Sequence, residues 1–370
     1  MAFLEPSEMR RRLDRHAAWY RHELVGGPIV SLNVVPEAAV REHLDARHRA
    51  PVEDLAKLVA WWTDPAQVLA RLEDRIAAYG YLGDIIPSHY VNLGTGSLAA
   101  YMGCRSVLQA TTIWQEPLID DWATAPELHL HEDSFYWQAT QALTKASIAA
   151  SRGRWLTGMT DIGGAMDITS YFRTPEELCL DLLDHPDEVR RSEAAVVKAW
   201  FQVYDSLWPM IQAASGGVSS WMGIWYPGRG AALQCDFSCM ISPAMFREFV
   251  LPTLHALTAR LDAAIYHLDG PNAIQHLDLI CEVPNIRAIQ WIPGAGHSWR
   301  LRDWLDLYRR IIDHGRAVWL WCPPDDELEL LFDQLDPDLL FWMTNVDDQA
   351  AGEALQARID RLRRDRKRVQ

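Results

Sequence analysis

Apolar and polar positions alternate with two different periods along most of this 370-residue chain. Short apolar runs rich in β-branched residues, closed by Gly or Pro, predict buried strands. Stretches in which apolar residues recur three or four positions apart follow them and predict helices with one inward face. A strand followed by a helix, repeated with near-continuous apolar strands, is typical of a parallel sheet covered on both sides.

The second half of the chain shows this repeat most clearly. Predicted strands at 264–269, 286–292, 317–322 and 339–343 are separated by helices, the longest of them over 301–314. Eight or nine candidate strands in the whole chain favour a (β/α)8 TIM barrel over an open sheet.

The part of the chain before residue 237 gives weaker signals. Strands are predicted at 28–35, 81–92 and 155–160. Of two extended pieces, 218–226 and 231–236, one should belong to the barrel and the other to a loop.

The domain organisation follows from the absence of internal repeats and low-complexity linkers. We predict a single barrel domain over residues 1–370, in which residues 1–80 form a mainly helical N-terminal extension and the first strand. Thr174, Pro175 and Glu177 mark a strong helix start, with a capping residue, a proline at the first turn and an acid three positions after the cap.

One predicted strand ends in polar residues. In the run over 264–269, His267 and Asp269 point to the same face and Leu268 to the other, and Gly270 then stops the strand. The carboxyl end of a barrel strand is where catalytic side chains gather. The structural alternative is that Asp269 caps the next helix and His267 is a core histidine.

Composition and charge narrow the class of protein. The chain is 49% apolar and 23% charged, and we expect a cytoplasmic location because neither a membrane-length apolar run nor a signal-peptide pattern occurs in the sequence. A formal net charge of −15 argues against nucleic acid or an anionic membrane as partner. We expect a small-molecule substrate, and the sequence leaves homo-oligomerisation open.

Cysteine and tryptophan usage bear on the site. The six cysteines are scattered without a CxxC pair, which disfavours a disulfide framework or a closed zinc site. Seventeen tryptophans is a high count, and several fall at predicted strand ends, where flat apolar faces suit a sugar ring or another planar ligand.

Three segments carry a family resemblance: Ser242 to Pro252 (SPAMFREFVLP), Tyr266 to Gly270 (YHLDG), and Pro175 to Val189 with its DHPD helix break. They resemble the uroporphyrinogen decarboxylase-like superfamily, which includes methyltransferases that serve corrinoid proteins. The resemblance covers about Trp155 to Asp347, and it implies a (β/α)8 barrel with its active site at the carboxyl ends of the strands.

The chain departs from both reactions that the resemblance implies. The methyltransferases of this family carry His-x-Cys-Gly and a distant third cysteine to hold zinc, whereas here the middle position is Asp269. His267, Asp269 and Cys322 form an alternative zinc triad, but no metal or other cofactor is favoured. The decarboxylases carry an arginine-rich loop after the first strand, and this chain has NVVPE there, which disfavours a tetra-acid substrate.

The leading hypothesis is a glycoside hydrolase-type enzyme that acts on a small polyhydroxylated, sugar-like substrate. Asp269 would be the acid/base, oriented by His267, with Asp236 or Asp161 as nucleophile or base. Substrate-binding candidates at the strand ends are His89, Tyr90, Asn92, Trp225, Tyr226, Gln290, Trp291, Trp321, Asp325 and Asn345. The alternatives are a methyltransferase acting with a corrinoid protein, a decarboxylase-like lyase, and a binding protein that has kept the barrel without the chemistry.

Overall fold

The computed structural model describes residues 4–322 and 324–369, except for the side chains of Asp325 and of residues 367–369. It is a mixed α/β protein. The strands are β1 Ile29–Val34, β2 Gly80–Gly83, β3 Ser88–His89, β4 Ser106–Leu108, β5 Ile113–Gln115, β6 Leu156–Thr157, β7 Val218–Ser219, β8 Trp225–Tyr226, β9 Gly230–Gln234, β10 Ala263–Asp269, β11 Ile286–Ile292, β12 Ala317–Trp321 and β13 Leu340–Val346.

Helices precede, separate and follow these strands. They are α1 Pro6–Tyr20, α2 Ala38–Arg47, α3 Leu55–Thr63, α4 Pro65–Ala78, α5 Ser97–Tyr101, α6 Phe135–Ser151, α7 Ala165–Arg173, α8 Pro175–Asp184, α9 Pro186–Ser215, α10 Pro243–Met245, α11 Leu251–Thr258, α12 Leu277–Glu282, α13 Leu305–Asp313, α14 Leu328–Gln334 and α15 Gln349–Val369. A π-helical turn, Phe246–Val250, joins α10 to α11. The predicted helix start at Thr174 is confirmed, since its side chain accepts a hydrogen bond from the Glu177 N–H.

A seven-stranded central sheet has the order β2-β1-β13-β12-β11-β10-β9. All neighbours in it are parallel except β1 and β2, which are antiparallel. In this register His267 of β10 lies beside Gln234 of β9 and Gln290 of β11. The mainly parallel sheet therefore brings polar residues from three neighbouring strands to one level.

One face of the sheet is filled with apolar side chains that α1 covers. Ile29, Ile265 and Phe341 lie in one buried cluster with Trp19 of α1. The Trp19 ring packs edge-on against Phe341 at a centroid distance of 5.4 Å. Because Ile29 and Phe341 are near the starts of their strands, α1 closes the amino ends and leaves the carboxyl ends for other residues.

One strand prediction is wrong, and of the two extended pieces left open the first forms a short antiparallel pair outside the central sheet. Residues 81–92 form no single strand: β2 turns back antiparallel to β1, and only Ser88–His89 is extended beyond it. Residues 218–226 are split into β7 and β8, which pair antiparallel with each other. The glycines Gly83 and Gly223, with φ of 68° and 70°, allow the chain to turn at these points.

The second extended piece, by contrast, belongs to the central sheet as β9. Shorter pairs lie beside this sheet: β3 is parallel to β6, and β4 is antiparallel to β5. Within the described part of the chain, no helix combines the length and apolar character needed to cross a membrane.

Candidate active site

Strand β10 carries the two residues on which the site is built. Tyr266 and Leu268, each 1% exposed, pack into the helical layer, so His267 and Asp269 project from the opposite face. Gly270, with φ of 76°, ends the strand in a backbone conformation that favours glycine. The turn places both polar side chains at the carboxyl end of the sheet.

Asp236, in the connection after β9, forms a trio with His267 and Asp269. It follows β9, the parallel neighbour of β10, and its Oδ1 lies 4.0 Å from His267 Nε2. One ligand atom from each of Asp236, His267 and Asp269 lies within 4.8 Å of the other two. Among the described residues this is the group of His, Cys, Asp and Glu side chains close enough to share a metal ion.

The orientation of His267 is set by two neighbours. Its Nδ1 donates to Gln290 Oε1 at 2.5 Å, so its second ring nitrogen, Nε2, is turned towards Asp236. The Trp221 ring packs edge-on against the imidazole at 5.3 Å. A histidine held in one tautomer by a hydrogen bond to its second nitrogen is typical of metal ligands.

Two further carboxyls lie beside the trio, and both retain protons near neutral pH. Burial raises the pKa of Asp161 to about 7, the Gly163 N–H opposes the shift, and Asp236 adds to it. Burial also raises the pKa of Asp167 to about 8, with the negative charge of Asp236 adding to the shift. Burial likewise raises the pKa of Asp236, while nearby His267 opposes this change.

A cavity of about 760 Å³ opens on the His267 side of the trio. His267 and Gln290 form part of its wall, and Trp319 and Trp321 stack on each other there with ring centroids 5.8 Å apart. Its far wall includes Arg71, whose guanidinium lies 3.9 Å from the Trp61 ring centroid. We call this the aromatic cavity.

A second cavity of about 550 Å³ lies on the Asp236 side. Asp167 and Asp236 are in its wall with the aromatic side chains of Trp114, Tyr171 and Phe237. None of the described residues that line it is Lys or Arg. We call this the acidic cavity; Asp236 lines it, His267 lines the aromatic cavity, and Asp269 lines neither.

The predicted binding residues separate into two groups. His89, Tyr90, Asn92, Gln290 and Trp321 line the aromatic cavity. Burial lowers the pKa of His89 to about 4, so this side chain is neutral at pH 7. It also raises the pKa of Tyr90 to about 12.

The remaining predicted residues lie elsewhere. Trp291 faces the helices and packs against Trp304, because it alternates with Gln290 along β11. Trp225 is buried and donates to the Ser215 carbonyl, and Tyr226 packs against Tyr20 of α1. Asn345 is exposed and lines neither cavity.

Two predicted site residues remain, Cys322 as a zinc ligand and Asp325 as a substrate-binding residue. Cys322 is not a member of the group that could hold a metal; Asp236 takes its place beside His267 and Asp269. The Asp325 side chain lies outside the described residues.

Some site residues gave no sequence signal. Asp167 opens α7, where an acid is expected for helix stability alone. Trp221 lies in the turn between β7 and β8, within a segment interpreted as a strand. The aromatic residues of the acidic cavity come from separate segments, and only folding brings them together.

Comparisons with known proteins identify a fold class. No protein-family model matches the chain, and no curated protein sequence matches it. The architecture is nevertheless similar to that of a solved enzyme structure, a "methyltransferase from Methanosarcina mazei". The TM-score is 0.59 at 13% sequence identity, and the alignment covers 95% of this chain and 98% of the other. The likeness concerns the fold, and at that level it agrees with the resemblance to the uroporphyrinogen decarboxylase-like superfamily.

Proposed function

We propose that this protein is a methyltransferase that passes a methyl group between a corrinoid, carried by a partner protein, and a small acceptor molecule. The observation that carries the proposal is the Asp236, His267 and Asp269 trio at the carboxyl ends of β9 and β10, in which Asp236 and His267 line different cavities. The methyltransferase with a similar fold supports the same reaction class. It gives no support to the glycoside hydrolase prediction.

The chemistry of the trio fits a divalent metal such as zinc. Zinc bonds to imidazole nitrogen and carboxylate oxygen are about 2.0–2.2 Å long, so two ligand atoms of one tetrahedral ion lie about 3.4 Å apart. The ligand atoms of this trio lie within 4.8 Å of one another, so metal binding would draw them closer by up to about 1.4 Å. Two carboxylates would balance the charge of the ion, and the open side would accept the substrate.

A bound zinc ion would supply one property, a lowered pKa for a substrate thiol or hydroxyl that coordinates it. The protein side chains perform the remaining tasks. Gln290 keeps the His267 Nε2 atom directed into the site. Asp161, whose pKa is raised to about 7 by burial, is suited to take the proton that leaves the acceptor.

The reaction balances without an added oxidant or reductant. The acceptor heteroatom loses its proton to a carboxylate and forms a bond to the methyl carbon. The cobalt–carbon bond breaks, and its electron pair stays on cobalt. Methyl-cobalt(III) and a thiol therefore become cobalt(I), a methyl thioether and one proton.

The test is anaerobic methyl transfer from methylcob(III)alamin to a simple thiol such as 2-mercaptoethanol, followed by the absorbance of cob(I)alamin. We expect conversion by the parent protein and a fall of at least about 100-fold in Asp269→Ala. Asp306→Asn is the control, because the Asp306 side chain is 97% exposed and lines neither cavity. Absence of conversion by the parent, together with hydrolysis of a chromogenic glycoside that Asp269→Asn abolishes, would replace this proposal with the hydrolase one.

We also propose that the strands close into a (β/α)8 ring. Three hydrogen bonds support closure beyond the central sheet. Asp84 N–H donates to the Val30 carbonyl at 2.5 Å, Leu156 N–H to the Pro87 carbonyl at 2.9 Å, and Met159 N–H to the Ser219 carbonyl at 2.9 Å. The first bond joins β1 to the residue after β2, the second joins β6 to the residue before β3, and the third joins β7 to the segment after β6, an order compatible with a barrel.

A further inference from the structure

The aromatic cavity carries positive charge in a strongly acidic protein. The formal net charge of the chain is −15. None of the described residues that line this cavity is Asp or Glu, whereas Arg71 and Arg75 of α4 both lie in its wall. The two arginines are four positions apart, so they lie on the same face of the helix. An anionic ligand would be attracted to this wall.

Neither arginine forms an ion pair with a carboxylate in the described part of the chain. The Arg71 guanidinium lies on the Trp61 ring and donates to the Trp61 carbonyl. Burial lowers the pKa of Arg71 to about 10, and no nearby carboxylate opposes the shift, so the group stays charged at neutral pH without a counter-ion. The charge of Arg75 acts on His89 in the same wall, where it adds to the effect of burial in lowering the histidine pKa.

The acidic residues between these arginines on α4 are used elsewhere. Glu73 pairs with Arg154 at 2.5 Å, and Asp74 pairs with Arg47 at 3.0 Å. The helix therefore turns its acids towards other arginines and leaves two guanidinium groups to the cavity. A guanidinium has five N–H donors in a planar fork that matches a carboxylate in both charge and geometry.

The rest of the cavity offers flat apolar surfaces. The Trp319 and Trp321 rings are stacked with an interplanar angle of 1°, and Trp221 packs edge-on against His267 in the same wall. Ring faces of this kind suit a planar aromatic ligand. A volume of about 760 Å³ is in the range of small-molecule sites.

We propose that the aromatic cavity binds a planar aromatic carboxylate, with its ring against Trp321 and its carboxylate held by Arg71 and Arg75. Both arginines lie outside the segments that carry the family resemblance. That this acid is the methyl acceptor rests on the function proposed above. Its binding requires neither a corrinoid nor a metal.

Calorimetric titration of the metal-free full chain at pH 7.5 with 2-naphthoate, 2-naphthamide and acetate tests the proposal. The amide keeps the planar rings without the charge, and acetate keeps the carboxylate without the rings. We expect saturable binding of 2-naphthoate, with the amide and acetate each at least about 10-fold weaker. Equal affinity for 2-naphthoate and either other probe, or no binding of 2-naphthoate, would overturn the proposal. Because neither a corrinoid nor a metal takes part, the outcome is independent of whether the protein transfers a methyl group.

Two variants locate the binding. Arg71→Gln and Arg75→Gln should each weaken 2-naphthoate binding at least about 5-fold and affect the amide less. Arg75 is exposed, so Arg75→Gln decides the matter if Arg71→Gln fails to fold. Arg41→Gln removes an exposed arginine of α2 that lines neither cavity, and this matched control should bind as the parent does. Unchanged 2-naphthoate affinity in both cavity variants would contradict the assignment.

Discussion

Each of the two cavities is lined by one member of the trio, and they differ in almost every other respect. The aromatic cavity has stacked tryptophans, a neutral His89 and arginines in its wall, whereas the acidic cavity has carboxyls without a described cation. An anionic molecule is disfavoured in the acidic cavity, and a large planar molecule is favoured in the aromatic cavity. If the proposed methyl transfer is correct, the two reactants would occupy different cavities, one lined by His267 and the other by Asp236.

The walls of the two cavities also differ in how they are held in place. The acidic cavity depends on α7, which Arg173 anchors: its guanidinium donates to both Asp181 carboxylate oxygens, at 2.6 and 3.1 Å, and to the Ile119 and Asp120 carbonyls. The aromatic cavity instead has the central sheet beneath it. Substitutions that destabilise α7 should therefore affect the acidic cavity and leave the aromatic cavity unchanged.

The largest expected effect is on stability. Arg173→Leu leaves the Asp181 carboxylate, only 3% exposed, without its ionic partner, so we expect a loss of about 3–5 kcal/mol in the free energy of unfolding. Urea denaturation measures this loss in the free energy of unfolding. Arg190→Leu removes an exposed arginine and should change stability by at most about 1 kcal/mol. Equal effects of the two substitutions would show that Arg173 does not anchor the acidic cavity.

The next effect concerns the aromatic side. Gln290→Ala removes the acceptor that fixes the His267 tautomer, so zinc affinity should fall about 10- to 100-fold while the melting temperature changes little. Competition with a chromogenic chelator measures the affinity. Gln290→Glu restores an acceptor and should recover most of the zinc affinity. If it does not, the hydrogen bond to His267 Nδ1 does not control zinc binding.

The smallest expected effect is on how the free energy of unfolding depends on pH. A carboxyl whose pKa is raised to about 7 by burial binds a proton in the folded state that the unfolded state has released. Folded stability therefore falls as the pH rises towards and through 7. Asp161→Asn cannot lose a proton, so it should gain about 0.8 kcal/mol over the parent between pH 6.5 and 8.5, the last part of a loss that levels off above the folded pKa.

Thermal melts of chelator-treated protein across this range measure the difference. The range lies at or above the ordinary pKa of histidine, which limits the contribution of the buried His16 and His89, whose pKa values burial lowers to about 4. Parallel curves for the parent and Asp161→Asn would contradict the raised pKa.

The second half of the chain was predictable from sequence because its strands are long and continuously apolar. The pattern around β10 located His267 and Asp269 on one face, and the structure has them there. Strands β3 and β6 are each two residues long, so a periodic pattern has too few positions to define them.

The site was only partly predictable for a different reason. A strand end can be found from local sequence, but the direction of a tryptophan depends on which face of the strand it occupies. Trp321 faces the cavity, and Trp291, one strand away, faces the helices. The contribution of Asp167 depends on burial by residues far away in sequence, which no local pattern reports.

The most direct test of the central claim is a zinc titration of metal-free protein by calorimetry, for the parent, His267→Ala and Cys322→Ser. One zinc ion per chain should bind to the parent and to Cys322→Ser, and the affinity of His267→Ala should be at least about 100-fold weaker. Zinc binding that survives His267→Ala, or is lost in Cys322→Ser, would contradict a site made of Asp236, His267 and Asp269.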